Sequence, residues 1–570
     1  MTLFFRSPWP WVFLEALILV AVVAGIIPHA AVYIVAVGIA ALLWWLPLER
    51  AVVLFLASFP LAPALPLLDF ESFAAWRVWA ILLFAAWFVK TKPTLIVPPR
   101  LLSFEWMALA LLALTFLSLI VAQDPVAGLR KWVFLVNILL LYPVTRFVAQ
   151  AKGFRPIFEG LSGAAVVVFA AAAAQYITVQ FVSLFEFWHG WARGFIPLFY
   201  GTGLGRVLSE SNTWFSYYAD AAPTLRLFSL FPDSHSFSLF SAFSFVLAWW
   251  AGFHRWLTRK IALLIAIVSA LSIFLSGSRG IWAAALVPVF FALYLAIGEL
   301  RTQFPVKRHI PLFAALGAVL FFSFLFFASP LGFMVWSVLP ERFFLWASSV
   351  FFLMGGALAF FAFATLRKIF SLFQKILHAP QGLRAALPTA VLLWTLFFLL
   401  FIPASFLTTH MRGVGVATQD EAAAFERART IFDIGELSNR SRIQIWLTSL
   451  EAIKNRPILG VGFGNYGVVL RESVEAARRG ASAHNFYLDI ASEAGFVAGI
   501  LSVVFFLDLC AAALRKALLL PALLIIWVAA YNLVDVVLLN DRVFIVFVVF
   551  AAMVVAYHPN AYGQQSSSIS

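Results

Sequence analysis

Apolar runs of about 20 residues recur from one end of the chain to the other, and they limit what it can fold into more than any other feature. A helix needs about 20 predominantly apolar residues to cross a bilayer core. Sixteen runs of that kind are read, each bounded by charges, Pro or Gly: 10–27, 30–47, 51–68, 74–89, 102–122, 131–149, 157–181, 235–254, 261–276, 280–298, 310–329, 344–366, 386–408, 486–513, 517–534 and 542–558. The first four are short and broken by Pro. The chain is 63% hydrophobic and 11% charged, against about half and a quarter in a soluble domain. A water-soluble enzyme is thereby excluded, and 17% aromatic residues exclude disorder. The expected fold class is an all-α polytopic membrane protein. The first run carries Glu15 and leads directly into a second apolar run, so it reads as a span rather than a cleavable signal. One cysteine, Cys510, leaves no internal disulfide and no cysteine metal cluster.

Orientation follows from Lys and Arg in the short loops. With the N-terminus in the cytoplasm, 20 of the 39 basic residues fall in inside loops, among them Arg50, Lys90, Arg146, Arg155, Arg255, Arg259 and Lys516. Six fall in short outside loops: Arg77, Arg130, Lys131, Arg279, Arg342 and Arg542. The formal charge of +13 is therefore mostly topology, and nucleic acid is not an expected partner. Two long segments lie outside. The expected organisation is N-terminal spans 1–181, a first outer loop 182–234, central spans 235–408, a large outer loop 409–484 with helices, and C-terminal spans with a short tail, 485–570. Within the second loop, 438–455 predicts a helix whose apolar stripe is Ile443, Trp446, Leu447, Leu450 and Ile453, stopped by Pro457.

Few polar residues remain to do chemistry. Arg279 sits between two spans in Ser276-Gly277-Ser278-Arg279-Gly280. It reads either as an interfacial anchor or as an anion site, since small neighbours admit a phosphate and Arg binds one bidentately. Arg226 opens a stretch ending in Asp233-Ser234-His235, where Asp233 can cap the span that follows. Arg440 and Arg442 open the loop helix, each about 80° from the centre of its apolar stripe and on opposite flanks, so periodicity does not choose between them. The glycine runs 457–464 and 201–205 look like phosphate cradles but follow no strand and lack the Walker lysine. The first of them most simply ends the helix and turns the chain.

His484 stands at the mouth of a span in His484-Asn485-Phe486-Tyr487. A helix N-terminus disfavours an imidazolium, so a neutral ring able to accept a proton is expected there. Taken alone it also reads as an ordinary interfacial histidine. Tyr487 is positioned to shape a pocket. Glu493 lies about 13 Å further along a continuous helix, at a depth where a carboxylate is costly. No metal site is expected: the nine His are scattered, with no HExxH and no carboxylate pair at ligand spacing.

In their order these segments resemble the O-antigen ligase and polymerase superfamily of bacterial envelope enzymes. The resemblance rests on Arg226 with Asp233 and His235, then Ser278-Arg279-Gly280. It continues with Arg442 four residues before Trp446, the run 457–462, and His484-Asn485 followed by Glu493-Ala494-Gly495. It covers roughly 220–500. It implies a membrane-embedded glycosyltransferase of the GT-C type, in the bacterial inner membrane, with the active site facing the periplasm and both termini cytoplasmic. Such enzymes move a glycan from undecaprenyl diphosphate to a lipid A core sugar, to another glycan repeat or to a protein hydroxyl, without cofactor or metal. By resemblance, Arg279, Arg442 and Arg226 bind the diphosphate and His484 is the base. Arg440, Asp233, His235, Trp446, Asn485, Tyr487 and Glu493 support them. The chain departs from the usual twelve-span member in an extra apolar stretch, 310–408. No soluble C-terminal domain is read, which weighs against protein glycosylation. A transporter of lipid-linked sugar is the competing class, but it would place charges at mid-membrane in paired halves, and here the candidate charges lie at the outer surface.

Overall fold

The computed structural model describes residues 7–67, 70–92, 101–209, 214–218, 221–303, 381–409, 411, 437–470 and 482–558. The expected spans 310–329 and 344–366 lie outside the described residues.

The chain is an all-α membrane protein with two small antiparallel hairpins. The N-terminal part runs α1 (Trp9–Val23), α2 (Ala31–Trp45), α3 (Leu48–Ser58), a hairpin β1–β2 (Ala64–Leu67, Phe70–Ala74) and α4 (Trp76–Thr91). It continues through α5 (Ser103–Leu117), α6 (Pro125–Leu139), α7 (Leu141–Lys152) and α8 (Arg155–Thr178). The next segment holds α9 (Leu184–Gly190), α10 (Ile196–Ser209) and the hairpin β3–β4 (Phe215–Tyr218, Ala221–Leu225). Then come α11 (Ser234–Phe253), α12 (Arg259–Leu275), α13 (Arg279–Gln303), α14 (Gln381–Leu399) and α15 (Phe401–Thr409). The loop helix is α16 (Leu437–Asn455), and the chain closes with α17 (Phe486–Ala494), α18 (Phe496–Arg515), α19 (Leu519–Tyr531) and α20 (Asp541–Ala556). Among the described residues five helices are long and apolar enough to cross a membrane, and five more are apolar but shorter.

Local chemistry sets the boundaries. Asp124 caps α6, accepting from Ala127 N at 2.9 Å with Pro125 at the first helical position. Asp233 caps α11 through Ser236 N at 2.7 Å, as the sequence predicted. The run read as 131–149 lies within Pro125–Lys152, a candidate span in which α6 and α7 meet at Leu140. Likewise α14 and α15 meet at Leu400. The run 51–68 is interrupted, since α3 ends at Ser58 and the chain turns into β1. The run 486–513 is the short α17 and the spanning α18, separated at Gly495, whose φ of 94° no other residue type adopts cheaply.

Cross-contacts sort the loops to two ends of the bundle. At one end Lys90 Nζ donates to Leu46 O, Arg50 pairs with Glu159, Arg146 with Glu105, and Phe154 stacks on Trp256 beside Tyr557. Lys516 joins the same end by donating to Val554 O. At the other end Trp76 Nε1 donates to Asp541, Lys131 pairs with Glu493, and Phe486 N donates to Asn532 O. The first group is the set read as inside loops, so the charge alternation corresponds to a physical grouping of the loops. The second group carries every site candidate.

Candidate functional site

Arg226 is built into its position by the backbone around it. Its N–H donates to Trp214 O at 2.8 Å, and its neighbour Leu227 N donates to Leu275 O at 3.2 Å. Gln175 of α8 holds the next turn, donating to Ser229 O and accepting from Phe228 N and Ser229 N. Trp214 stacks on Phe228 at 4.2 Å and closes the segment from above. The buried guanidinium then reaches the end of α12, where Nε donates to Ser276 O at 3.1 Å and Nη2 to Gly277 O at 3.4 Å. The same Nη2 lies 3.3 Å from His235 Nε2.

His235 is enclosed on both ring nitrogens. Arg226 can only donate, so Nε2 accepts and Nδ1 carries the proton. Nδ1 faces Asp535 Oδ2 at 3.2 Å, Ser278 Oγ at 3.0 Å and Tyr531 OH at 3.3 Å. Ser278 and Tyr531 also bond each other at 3.0 Å. One residue on, half-buried Arg279 begins α13, and Gly280 lets that helix approach so closely that a Cβ would sit 2.9 Å from Val534. Burial raises the Asp233 carboxyl above its ordinary value, and nearby Asp535 adds to the rise, against the bonds from Ser236 and the charge of Arg226.

His484 is held differently. Its backbone lies in the left-handed region, φ 44°, which is sparsely populated for a residue with a side chain. Bonds on both sides fix that conformation. Trp446 Nε1 donates to Ala483 O at 3.0 Å, Ala483 N to Asp489 Oδ1 at 2.9 Å, and Phe486 N to Asn532 O at 2.7 Å. Asn485 caps α17 by accepting from Tyr487 N and Leu488 N, and Tyr487 OH anchors the first turn on Ala529 O at 2.9 Å. Within this frame His484 Nδ1 is buried and has no hydrogen-bond partner. Burial lowers the imidazole pKa below its ordinary value; Asp535 opposes the shift and Arg442 adds to it. The lowered pKa favours the neutral ring, and its Nδ1 is unpartnered.

The loop helix turns a different face inward than its periodicity predicts. Ile445, Ser449 and Ala452 pack on the turn around Val461, Tyr466 and Ala483, whereas Leu447 is 57% exposed and Leu450 52%. Specific bonds override the apolar stripe. Ser449 Oγ meets Tyr466 OH, and Trp446 is drawn to Ala483 O. At about 100° per residue this rotation brings Arg442 to within about 60° of the inward centre and leaves Arg440 on the far side. Arg440 is exposed and Arg442 half-buried.

The run 457–464 is a structural clasp. Val461 N donates to Ser492 O at 2.9 Å, Gly462 N to Glu493 O at 3.0 Å and Phe496 N to Pro457 O at 2.8 Å. These bonds satisfy the groups freed where α17 gives way to α18. A Cβ on Gly460 would lie 2.3 Å from Ser492 O, so only glycine permits the approach. Glu493, 1% exposed, sits at the end of α17 rather than along a continuous helix. Its carboxylate pairs with Lys131 Nζ at 2.7 Å and accepts from Tyr466 N at 3.1 Å.

Sequence reasoning missed Asp535, Tyr531 and Lys131. Asp535 is an acid just beyond α19, but no motif marks it, and only the fold brings it to His235 and within electrostatic reach of His484. Among the described residues no group of three or more His, Cys, Asp or Glu is arranged to hold a metal ion.

Residues 261–503 match the family model described as O-antigen ligase. No curated protein and no solved structure matches the chain. The matched stretch includes Arg279, Arg440, Arg442, Trp446, His484, Asn485, Tyr487 and Glu493 and leaves Arg226, Asp233, His235 and Asp535 outside it. Segment 261–503 is thus similar to the O-antigen ligase family, and the match supports the O-antigen ligase superfamily for this part of the chain.

Proposed function

We propose that this protein is a glycosyltransferase that moves a glycan from undecaprenyl diphosphate to a sugar hydroxyl of the lipid A core at the periplasmic face of the bacterial inner membrane. The observation that carries this reading is the unpartnered, buried Nδ1 of His484 at the mouth of α17, within the electrostatic reach of Arg442 and Asp535. The match of residues 261–503 to the O-antigen ligase family supports ligase- or polymerase-type chemistry.

The reaction follows from the residues. The acceptor O–H approaches the anomeric carbon opposite the diphosphate. His484 Nδ1 takes the hydroxyl proton as the new C–O bond forms, a contribution of about 100- to 10,000-fold. The bond to the diphosphate breaks and its electron pair leaves with the phosphate oxygen. Guanidiniums of Arg279 and Arg442 neutralise that charge, and loss of one such donor costs on the order of 100-fold or more. The anomeric centre inverts. Asp535 stabilises the imidazolium formed at His484 and also orients His235, which in turn sets Arg226. An apolar cavity of about 360 Å³ between α5, α18 and α20 is bordered by Phe463 and Phe486 beside the His484 turn, and offers walls for the polyprenyl chain of the donor.

The test is purified protein in lipid nanodiscs with a synthetic undecaprenyl-diphosphate glycan and, as acceptors, lipid A core, glycan repeat and peptide. Release of undecaprenyl diphosphate with glycan on the core supports the reading; transfer to the repeat or to peptide instead reassigns the acceptor. Full transfer by a folded His484→Ala variant would sink the mechanism.

A further inference from the structure

A second, larger cavity lies elsewhere. A groove of about 1320 Å³ runs between α1, α8 and the turn from α11 into α12. Its walls are apolar along most of their length, with Phe13 and Val20 from α1 facing Val166 and Ala170 from α8. The two ends differ in chemistry. The rim at the Trp256 end carries Arg155, Arg255 and Arg259 against one acid, Glu159. Glu159 is already engaged by Arg155 at 3.0 Å and by Arg50 at 3.6 Å. The guanidiniums of Arg255 and Arg259 have no partner among the described residues. The opposite end is closed by Trp191, Phe195, Phe199 and Leu230. The guanidinium there, Arg542, is buried and donates to Leu230 O and Tyr200 OH, so it is not available to a ligand.

We propose that this groove binds an anionic diacyl phospholipid from the leaflet on the Arg155 side of the membrane, by charge alternation the cytoplasmic leaflet. The phosphate lies among Arg255, Arg259 and Arg155, and the acyl chains lie on the walls of α1 and α8. Charge complementarity selects both the class and the orientation. Basic pockets between membrane helices on the cytoplasmic side recognise anionic headgroups, and Trp256 at the rim stands where amphipathic rings mark the headgroup level. A polyprenyl diphosphate seated here would place its two phosphates against an aromatic wall if its head faced the catalytic end, or far from Arg279 and Arg442 if it faced the cations. The apolar faces of α1 that the groove leaves open, with Phe13 70% exposed, gain their cover from the lipid.

The inference is tested by lipid binding and does not depend on the transfer reaction, so its failure and that of the proposed function are separable. Delipidated full-length protein is titrated with phosphatidylglycerol or phosphatidylcholine and bound lipid is counted by native mass spectrometry. Phosphatidylglycerol is expected to bind more tightly. An Arg255→Gln/Arg259→Gln variant removes two exposed cations, each worth about fivefold near an anionic headgroup, and is expected to lose about 25-fold and with it the headgroup preference. Ala170→Trp fills the groove and is expected to weaken both lipids. Equal binding of the two lipids, or a double variant that binds phosphatidylglycerol as tightly as the parent, overturns the proposal. So does displacement of phosphatidylglycerol by undecaprenyl phosphate in the double variant as in the parent, which assigns the groove to a polyprenyl chain.

Discussion

His235 and His484 occupy similar places at the same end of the bundle: His235 lies in the first turn of α11, two residues after its cap Asp233, and His484 immediately precedes Asn485, the cap of α17. Their surroundings divide them. His235 has both nitrogens engaged, by Arg226 on one side and by Asp535, Ser278 and Tyr531 on the other. His484 has a buried nitrogen with no partner. A ring whose bonds are all made is a positioning element, whereas a neutral ring with a free lone pair can still accept a proton. The contrast teaches that the location of a histidine at a helix mouth is shared by both roles, and the hydrogen-bond inventory separates them. The sharpest way to break it is to remove each ring. His484→Ala is expected to lower transfer by about 100- to 10,000-fold with little change in thermal stability. His235→Ala leaves Asp535 and Arg226 without their common partner, and is expected to lower stability by about 1–3 kcal/mol with a smaller loss of rate. Transfer assays and thermal unfolding on the same preparations decide; equal losses of rate with equal stability would erase the distinction.

The frame under His484 comes next in size. Lys131 and Glu493 close a long-range pair beneath α17, and Tyr466 N adds a third bond. Lys131→Met leaves the Glu493 carboxylate buried and unpaired, which costs about 3 kcal/mol or more. Lys131→Met with Glu493→Gln removes the stranded charge and is expected to recover most of that loss. Thermal unfolding of the single and double variants measures it. A single variant as stable as the parent would mean that the clasp formed by 457–464 holds α17 unaided.

The comparison is sharpened further by pH. Proton acceptance at His484 is available above its folded pKa and is lost as pH falls through it. That pKa is lowered by burial and by Arg442 and raised by Asp535. Asp535→Asn removes the raising influence, so the acid limb is expected to move to lower pH. Arg442→Gln removes a lowering one, so it moves to higher pH. Diethyl pyrocarbonate modification of His484 against pH reports the shifts without turnover. Shifts of the same sign in both variants would show that Asp535 does not act on His484 through its charge.

Membrane character and the grouping of loops were legible because each rests on local signals: apolar run length and basic loops. Less was legible where a long-range contact decides. The break at Gly495 hides in an unbroken apolar run, since a glycine inside a span is common and only the approach of Ile458 demands one here. Asp535 carries no motif because its meaning comes from the two histidines that α11 and α17 bring to it from far away in sequence. Glu493 reads as a costly buried charge until Lys131, 362 residues earlier, supplies its partner.

The orientation of α16 is the smallest effect and tests the same lesson. The sequence stripe Ile443, Leu447 and Leu450 looks like the buried face, yet the packed face is Ile445, Ser449 and Ala452. Hydrogen bonds from Ser449 and Trp446 choose the rotation, and that rotation brings Arg442 to the side of His484. Leu447→Ser therefore removes an exposed side chain and is expected to change stability by less than about 0.5 kcal/mol. Ser449→Leu forces a larger apolar group against Tyr466 and is expected to cost about 1–3 kcal/mol. It should also raise the pH at which His484 becomes protected from modification less than Arg442→Gln does, because it displaces Arg442 rather than deleting it. If Leu447→Ser is the more damaging of the two, the apolar stripe is the buried face after all, and Arg440 and Arg442 become equal candidates again.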